Sequence, residues 1–180
     1  MPRPITLLVE GASDQAAVVA LAPRFGVDLD AEQITVTVIG GAGNFGRAIA
    51  EAAALGHRVG GLYDEKEERF VAGALNRQEG EDLTRQGFFA CRPDLELELV
   101  RAIGAAGMTP LLEAGGDLKT FRNFQDQPAY RDLEVLEQLR HYIAASGARK
   151  AKYAALMAEA VAFESVPEPL EGLLSWIWSA

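Results

Sequence analysis

The chain has 180 residues, 49% of them apolar, which is enough for one domain with a buried core. Lys and Arg total 17 against 26 Asp and Glu, and the net charge of −9 argues against a protein that holds nucleic acid by bulk positive charge. Two histidines and a single cysteine, Cys91, exclude a zinc ribbon and a disulfide framework.

The first hundred residues alternate apolar runs with helical patterns, separated by Gly or Asp, which is typical of βαβ units and a parallel sheet. The predicted strands lie near residues 5–9, 34–39, 59–63 and 88–91, and the predicted helices near 13–24, 44–56, 65–77 and 94–106. Beyond Gly107 the pattern becomes helical, with helices predicted over 130–145, 148–163 and 168–178. We therefore expect an α/β fold: a core of about four parallel strands flanked by helices (residues 1–107), and a helical extension packed on it (residues 108–180).

The location and surface of the chain can also be predicted. No apolar run approaches the roughly 18 residues of a membrane span and no signal peptide is evident, so we expect a cytoplasmic protein without membrane contact. Residues 119–153 carry seven basic and four acidic side chains, a local balance of +3 that favours a polyanion there. The amphipathic segment 173–178 is expected to dock on the core, with a homodimer interface as the alternative.

Acidic residues follow the apolar runs at two places. The first strand ends before Glu10, Gly11 comes next, and Asp14 stands four residues after Glu10. The third strand ends before Asp64. Because the carboxyl ends of parallel strands meet at one edge of a sheet, these side chains are expected to converge there on a divalent metal. Taken alone, Asp14 fits equally well as a helix-capping acid.

A glycine-rich segment offers a different interpretation. Residues 41–46, from Gly41 to Gly46, match G-x-G-x-x-G between a predicted strand and a helix, and Asp64 lies 18 residues beyond Gly46. This spacing matches a dinucleotide site of the NAD(P) type, and the alternative is that the glycines simply allow tight packing of the helix on the sheet. Against the dinucleotide site, a complete strand–acid–helix unit precedes the loop, and an acid-dense run follows Asp64. The loop also lacks the Lys-Ser/Thr of a P-loop.

Several segments in order resemble a known family. They are Val9-Glu10-Gly11-x-x-Asp14, the Gly40-Gly41 turn, the strand ending on Asp64, Phe88 to Leu99 with its Asp94-Leu95-Glu96, and Gly147 to Ala154. Together they resemble the Toprim domain of the OLD (overcoming lysogenization defect) nucleases, in a short form that stands alone without the ATPase domain. The resemblance covers nearly the whole chain.

The resemblance implies a nuclease that uses Mg²⁺ or Mn²⁺, as one or two ions, to hydrolyse nucleic acid, with DNA preferred. It implies that Glu10 is both metal ligand and acid/base group, and that Lys150 stabilises charge on the phosphate. The further ligands that it implies are Asp14, Asp64 and Glu96. A separate ATPase subunit is an implied partner. Lys152 is an alternative to Lys150 if the register differs.

One position departs from the family pattern. The second acid of the family's D-x-D is missing, because Lys66 stands two residues after Asp64. Either Glu67 or Glu68 substitutes for it from the next turn, or one metal position is weakened. A weakened site would leave an adaptor that binds metal and DNA beside an ATPase but cleaves poorly.

Overall fold

A computed structural model describes residues 3–179, and its centre is a four-stranded parallel sheet in the order β2-β1-β3-β4. The strands are β1 (Ile5–Val9), β2 (Ile34–Val38), β3 (Arg58–Asp64) and β4 (Phe88–Cys91). In register, Leu7 of β1 lies opposite Val36 of β2 and Gly60 of β3. The predicted α/β class is confirmed, and each predicted strand lies within one residue of its observed bounds.

Helices cover both faces of this sheet. They are α1 (Ala12–Leu21), α2 (Phe45–Ala54), α3 (Glu68–Ala74), α4 (Leu95–Ala114), α5 (Leu118–Gln125), α6 (Val135–Ala144), α7 (Gly147–Ala160) and α8 (Glu168–Trp176). Helix α5 was not predicted. The helix predicted over 65–77 is wrong at its start, because residues 65–67 form a separate 3-10 turn before α3.

The two faces of the sheet have separate apolar cores. Leu7 and Val9 of β1 pack on one face with α1, α4 and the C-terminal helices, whereas Leu8 packs on the other with α2 and α3. Helix α7 lies along α1 and also contacts α4. Helix α4 continues across residue 107, the predicted boundary between core and extension, and its backbone is non-helical at Gly104. The division into core and extension stays a prediction. Within residues 3–179, no helix is long and apolar enough to cross a membrane.

Two adjacent glycines allow β3 to sit in the middle of the sheet. A β-carbon at Gly61 would overlap the backbone oxygen of Leu8, and one at Gly60 would lie 2.8 Å from Trp176. Trp176 in α8 is also covered by the Arg58 guanidinium, 4.4 Å from its ring centre. The glycines therefore bring β3 against β1 and let α8 dock, and this packing fixes the end of β3 where Asp64 lies.

Candidate functional site

The predicted acids come together at the carboxyl edge of the sheet. Glu10 directly follows β1 and Asp64 ends the neighbouring β3, while Asp14 lies in the first turn of α1 and Glu96 in that of α4. All four line one pocket of about 220 Å³, together with Lys150. The structure therefore brings every predicted site residue into a single cavity.

Lys150 reaches this cavity from a distant part of the sequence. It lies in the first turn of α7, and its Nζ is 2.9 Å from Oε1 of the buried Glu96. Burial alone would lower the pKa of Lys150, but the ion pair with Glu96 and the nearby Asp14 and Asp64 raise it above its usual value. Lys152 instead donates to the Gly115 carbonyl, away from the acids. Lys150 is therefore the lysine that faces the site.

Glu96 is held in place by its neighbour two residues earlier. Asp94 caps α4 by accepting a hydrogen bond of 3.0 Å from the Leu97 amide. Arg140 in α6 donates two further hydrogen bonds to Asp94. Burial would raise the pKa of Asp94, but these bonds hold it below its usual value. Arg140 was not predicted, because nothing in the local sequence links it to a residue 46 positions earlier.

Glu67 joins the cluster, whereas Glu68 does not. Glu10, Asp64 and Glu67 each place a carboxylate oxygen within 4.8 Å of the others. The Oε2 atoms of Glu10 and Glu67 are buried and have no hydrogen-bond partner among residues 3–179. Glu68 turns away and accepts a hydrogen bond from the Gly80 amide. Of the two substitutes suggested by the sequence, the geometry favours Glu67.

Comparison with known proteins agrees with this arrangement of the sheet and its acids. Residues 6–65, which contain Glu10, Asp14 and Asp64, match the sequence model of the Toprim domain of overcoming lysogenization defect protein-like (OLD-like) proteins. This part of the chain is similar in sequence to that domain. No curated protein matched the chain at the level of sequence.

Known structures share the fold over nearly the whole chain. The C-terminal region of the Burkholderia pseudomallei OLD protein is similar with a TM-score of 0.67 and 20% identity, over 96% of both chains. The C-terminal region of the Xanthomonas campestris pv. campestris OLD protein is similar with a TM-score of 0.68 and 23% identity, over 97% of this chain and 94% of that one. The helices beyond the Toprim match thus belong to the shared fold.

Carboxylates of the acidic pocket have raised pKa values. Burial is the main cause for Asp14, where the nearby Glu96 and Asp64 add to it against the Gly11 hydrogen bond, and its pKa is about 7. Burial likewise raises the pKa of Asp64 to about 6, against the opposing charge of Lys66. It also raises that of Glu67 to about 7, with a further contribution from Glu10. Burial and the neighbouring carboxylates therefore make it costly to ionise these three groups when no cation is bound.

A divalent cation fits this acidic pocket. The ligands on offer are carboxylate oxygens, which Mg²⁺ and Mn²⁺ accept. The buried Oε2 atoms of Glu10 and Glu67 have no hydrogen bond from residues 3–179, and a buried carboxylate oxygen without a partner is costly. A cation bound among Glu10, Asp64 and Glu67 would remove that cost and the repulsion between them.

The glycine loop lies at the same carboxyl edge of the sheet. Gly40 and Gly41 have φ values of 70° and 122°, so the turn after β2 requires glycine at both. Gly46 meets only Ala74, at an ordinary 3.9 Å. The loop follows the edge strand of the sheet, and Gly41 lines the acidic pocket. Negative charge at this position disfavours a pyrophosphate, which counts against the dinucleotide interpretation.

Proposed function

We propose that the chain is a Mg²⁺- or Mn²⁺-dependent nuclease that hydrolyses phosphodiester bonds of nucleic acid, with DNA as the first substrate to test. The observation that carries this proposal is the convergence of Glu10, Asp14, Asp64 and Glu96 with Lys150 in one pocket. The OLD-like Toprim match over residues 6–65 supports the same chemistry. A bound divalent cation would supply Lewis-acid stabilisation of charge on the phosphate oxygens.

Different residues would have different roles in the hydrolysis. The carboxylate of Glu10 would accept a proton from the attacking water, whose oxygen bonds to phosphorus as the bond to the leaving oxygen breaks. The leaving oxygen would take a proton from solvent. The ammonium of Lys150 would stabilise the additional negative charge on the phosphate. Asp94 and Arg140 would not contact the substrate. They would hold the first turn of α4 in place and so position Glu96.

Binding of nucleic acid would depend on the cation more than on surface charge. Several cations of the basic stretch 119–153 are engaged inside the fold: Arg140 with Asp94, Lys152 with Asp117, and Arg149 with the Tyr142 carbonyl. The charges of Arg140 and Lys152 are partly neutralised by these carboxylates, and the chain as a whole carries −9. We therefore expect weak binding of DNA in EDTA and a marked increase when Mn²⁺ is added.

The test is nicking of supercoiled plasmid by the purified chain with Mn²⁺, compared with Glu10→Gln. The unaltered chain should convert the plasmid to open circles and Glu10→Gln should not, while both melt at similar temperatures. Glu68→Gln is the matched control, because Glu68 lies outside the pocket. Equal nicking by Glu10→Gln would contradict the assignment. Binding of Mn²⁺ and DNA without any nicking would support the adaptor interpretation instead.

A further inference from the structure

The conformation after Asp64 determines which later side chain can share its cation. In an extended strand, side chains two residues apart share a face, so an acid at the position of Lys66 would face the same way as Asp64. Here the strand ends at Asp64 and residues 65–67 form a 3-10 turn that starts directly after it. Asp64 is therefore the N-cap of this turn, with extended backbone, and at the start of a helical turn the side chains of the N-cap residue and of the third residue after it approach each other.

The side chains of Asp64 and Glu67 have this arrangement. Glu67, three residues after Asp64, places a carboxylate oxygen within 4.8 Å of oxygens from Asp64 and Glu10. Its Oε2 is buried and has no hydrogen-bond partner among residues 3–179. Lys66 is mostly exposed, with its Nζ 3.6 Å from Oδ2 of Asp64. Position 66 therefore contributes a cation at the rim of the site, and position 67 contributes a carboxylate inside it.

We infer that Glu67 is a ligand of the divalent cation. In this chain the family's D-x-D is replaced by a D-x-x-E formed by Asp64 and Glu67, which the 3-10 turn brings together. This inference rests on the proposed function, because it concerns the same pocket. Two independent features support it: the buried, unpartnered Oε2 of Glu67, and its alignment with Asp64 by the turn. It also explains how a chain with Lys66 at the usual position keeps a full set of oxygen ligands.

The inference is tested by Mn²⁺ binding without nucleic acid, measured by calorimetry and by the loss of the free Mn²⁺ electron paramagnetic resonance signal. At pH 8, Glu67→Gln should bind Mn²⁺ about tenfold more weakly or worse, since even groups that only support a metal ligand are typically worth 10- to 100-fold. Glu68→Gln is the matched control and should bind as the unaltered chain does.

Exchanging Lys66 and Glu67 tests directly whether the acid has to stand three residues after Asp64. The double variant K66E/E67K keeps composition and net charge but moves the acid from three to two residues after Asp64. We expect its Mn²⁺ affinity to fall at least as far as that of Glu67→Gln, with circular dichroism unchanged.

The outcomes separate this inference from the proposed function. Unchanged affinity in Glu67→Gln, or in the exchanged variant, would overturn the role of Glu67 while leaving the nuclease proposal intact. A chain that binds no Mn²⁺ before any substitution would overturn both. If Glu67→Gln does not fold, Glu67→Asp, which shortens the side chain by one carbon, should still weaken binding. Full affinity in Glu67→Asp would then count against the inference.

Discussion

Replacing Asp14 by asparagine should make the stability of the metal-free chain less dependent on pH between pH 5 and pH 8. The carboxyl of Asp14 lies in the first turn of α1, where burial raises its pKa from 3.8 to about 7. Its Oδ2 accepts a hydrogen bond of 2.8 Å from the Gly11 amide. Asparagine keeps an acceptor oxygen for that bond but cannot ionise, so the substitution isolates the cost of the charge.

The direction of the change in stability with pH follows from the raised pKa of Asp14. A carboxyl with a raised pKa in the folded state contributes stability that is complete below pH 3.8 and is lost as the pH rises through about 7. Between pH 5 and pH 8 the loss for Asp14 alone comes to roughly 2–3 kcal/mol of unfolding free energy. Asp14→Asn should reduce the pH dependence by that amount, whatever effect it has that does not depend on pH.

The assay is urea unfolding in EDTA at pH 5 and pH 8, followed by circular dichroism. The quantity compared is the change in unfolding free energy between the two pH values, for the unaltered chain and for Asp14→Asn. Asp30→Asn, at an exposed carboxylate, is the matched control and should leave that change as it is. The reasoning is refuted if Asp14→Asn loses as much stability as the unaltered chain does. Saturating Mn²⁺ should also flatten the pH dependence of the unaltered chain.

Three further substitutions test other parts of the account. Lys150→Gln should lower the rate of plasmid nicking by about 10²–10³ without weakening Mn²⁺ binding, while Lys152→Gln, on the same helix, should cleave normally. Gly61→Ala should lower the unfolding free energy in urea by about 1–3 kcal/mol or more, because its β-carbon would overlap the Leu8 backbone oxygen. Arg140→Gln should cost about 1–3 kcal/mol by the same measurement, because it leaves a partly buried carboxylate without its cation. Unchanged nicking in Lys150→Gln would contradict the role of Lys150 at the phosphate. Unchanged stability in Gly61→Ala or Arg140→Gln would contradict the importance of the close approach to Leu8 or of the pair with Asp94.

The sheet and its acids could be predicted because the signals are local and agree with one another. Apolar runs of about five residues mark the strands, and the residue after such a run in a parallel sheet has to lie at the carboxyl edge. Glu10, Asp14 and Asp64 were therefore placed by the strand and helix pattern alone. Glu96 and Lys150 were placed by their position in motifs that resemble a family, and the fold brings all five into the pocket.

The remaining features depend on contacts or conformations that the sequence pattern does not display. Helix α5 is short and mostly polar, and only Phe121 and Phe124 are buried, so its apolar signal is weak. The choice of Glu67 over Glu68 depends on the 3-10 turn before α3, which no periodicity in such an acid-rich segment reveals. The support of Asp94 by Arg140 joins residues far apart in the chain, and only the packing of α6 on α4 brings them together.

The most direct test of the account is a crystal of the chain soaked in Mn²⁺ and measured for anomalous scattering. We expect an anomalous peak at the carboxyl edge of the sheet, bonded to oxygens of Glu10, Asp64 and Glu67. A well-ordered crystal with no peak among these carboxylates, or with Mn²⁺ bound only elsewhere on the surface, would contradict the central claim that this edge is a divalent-cation site.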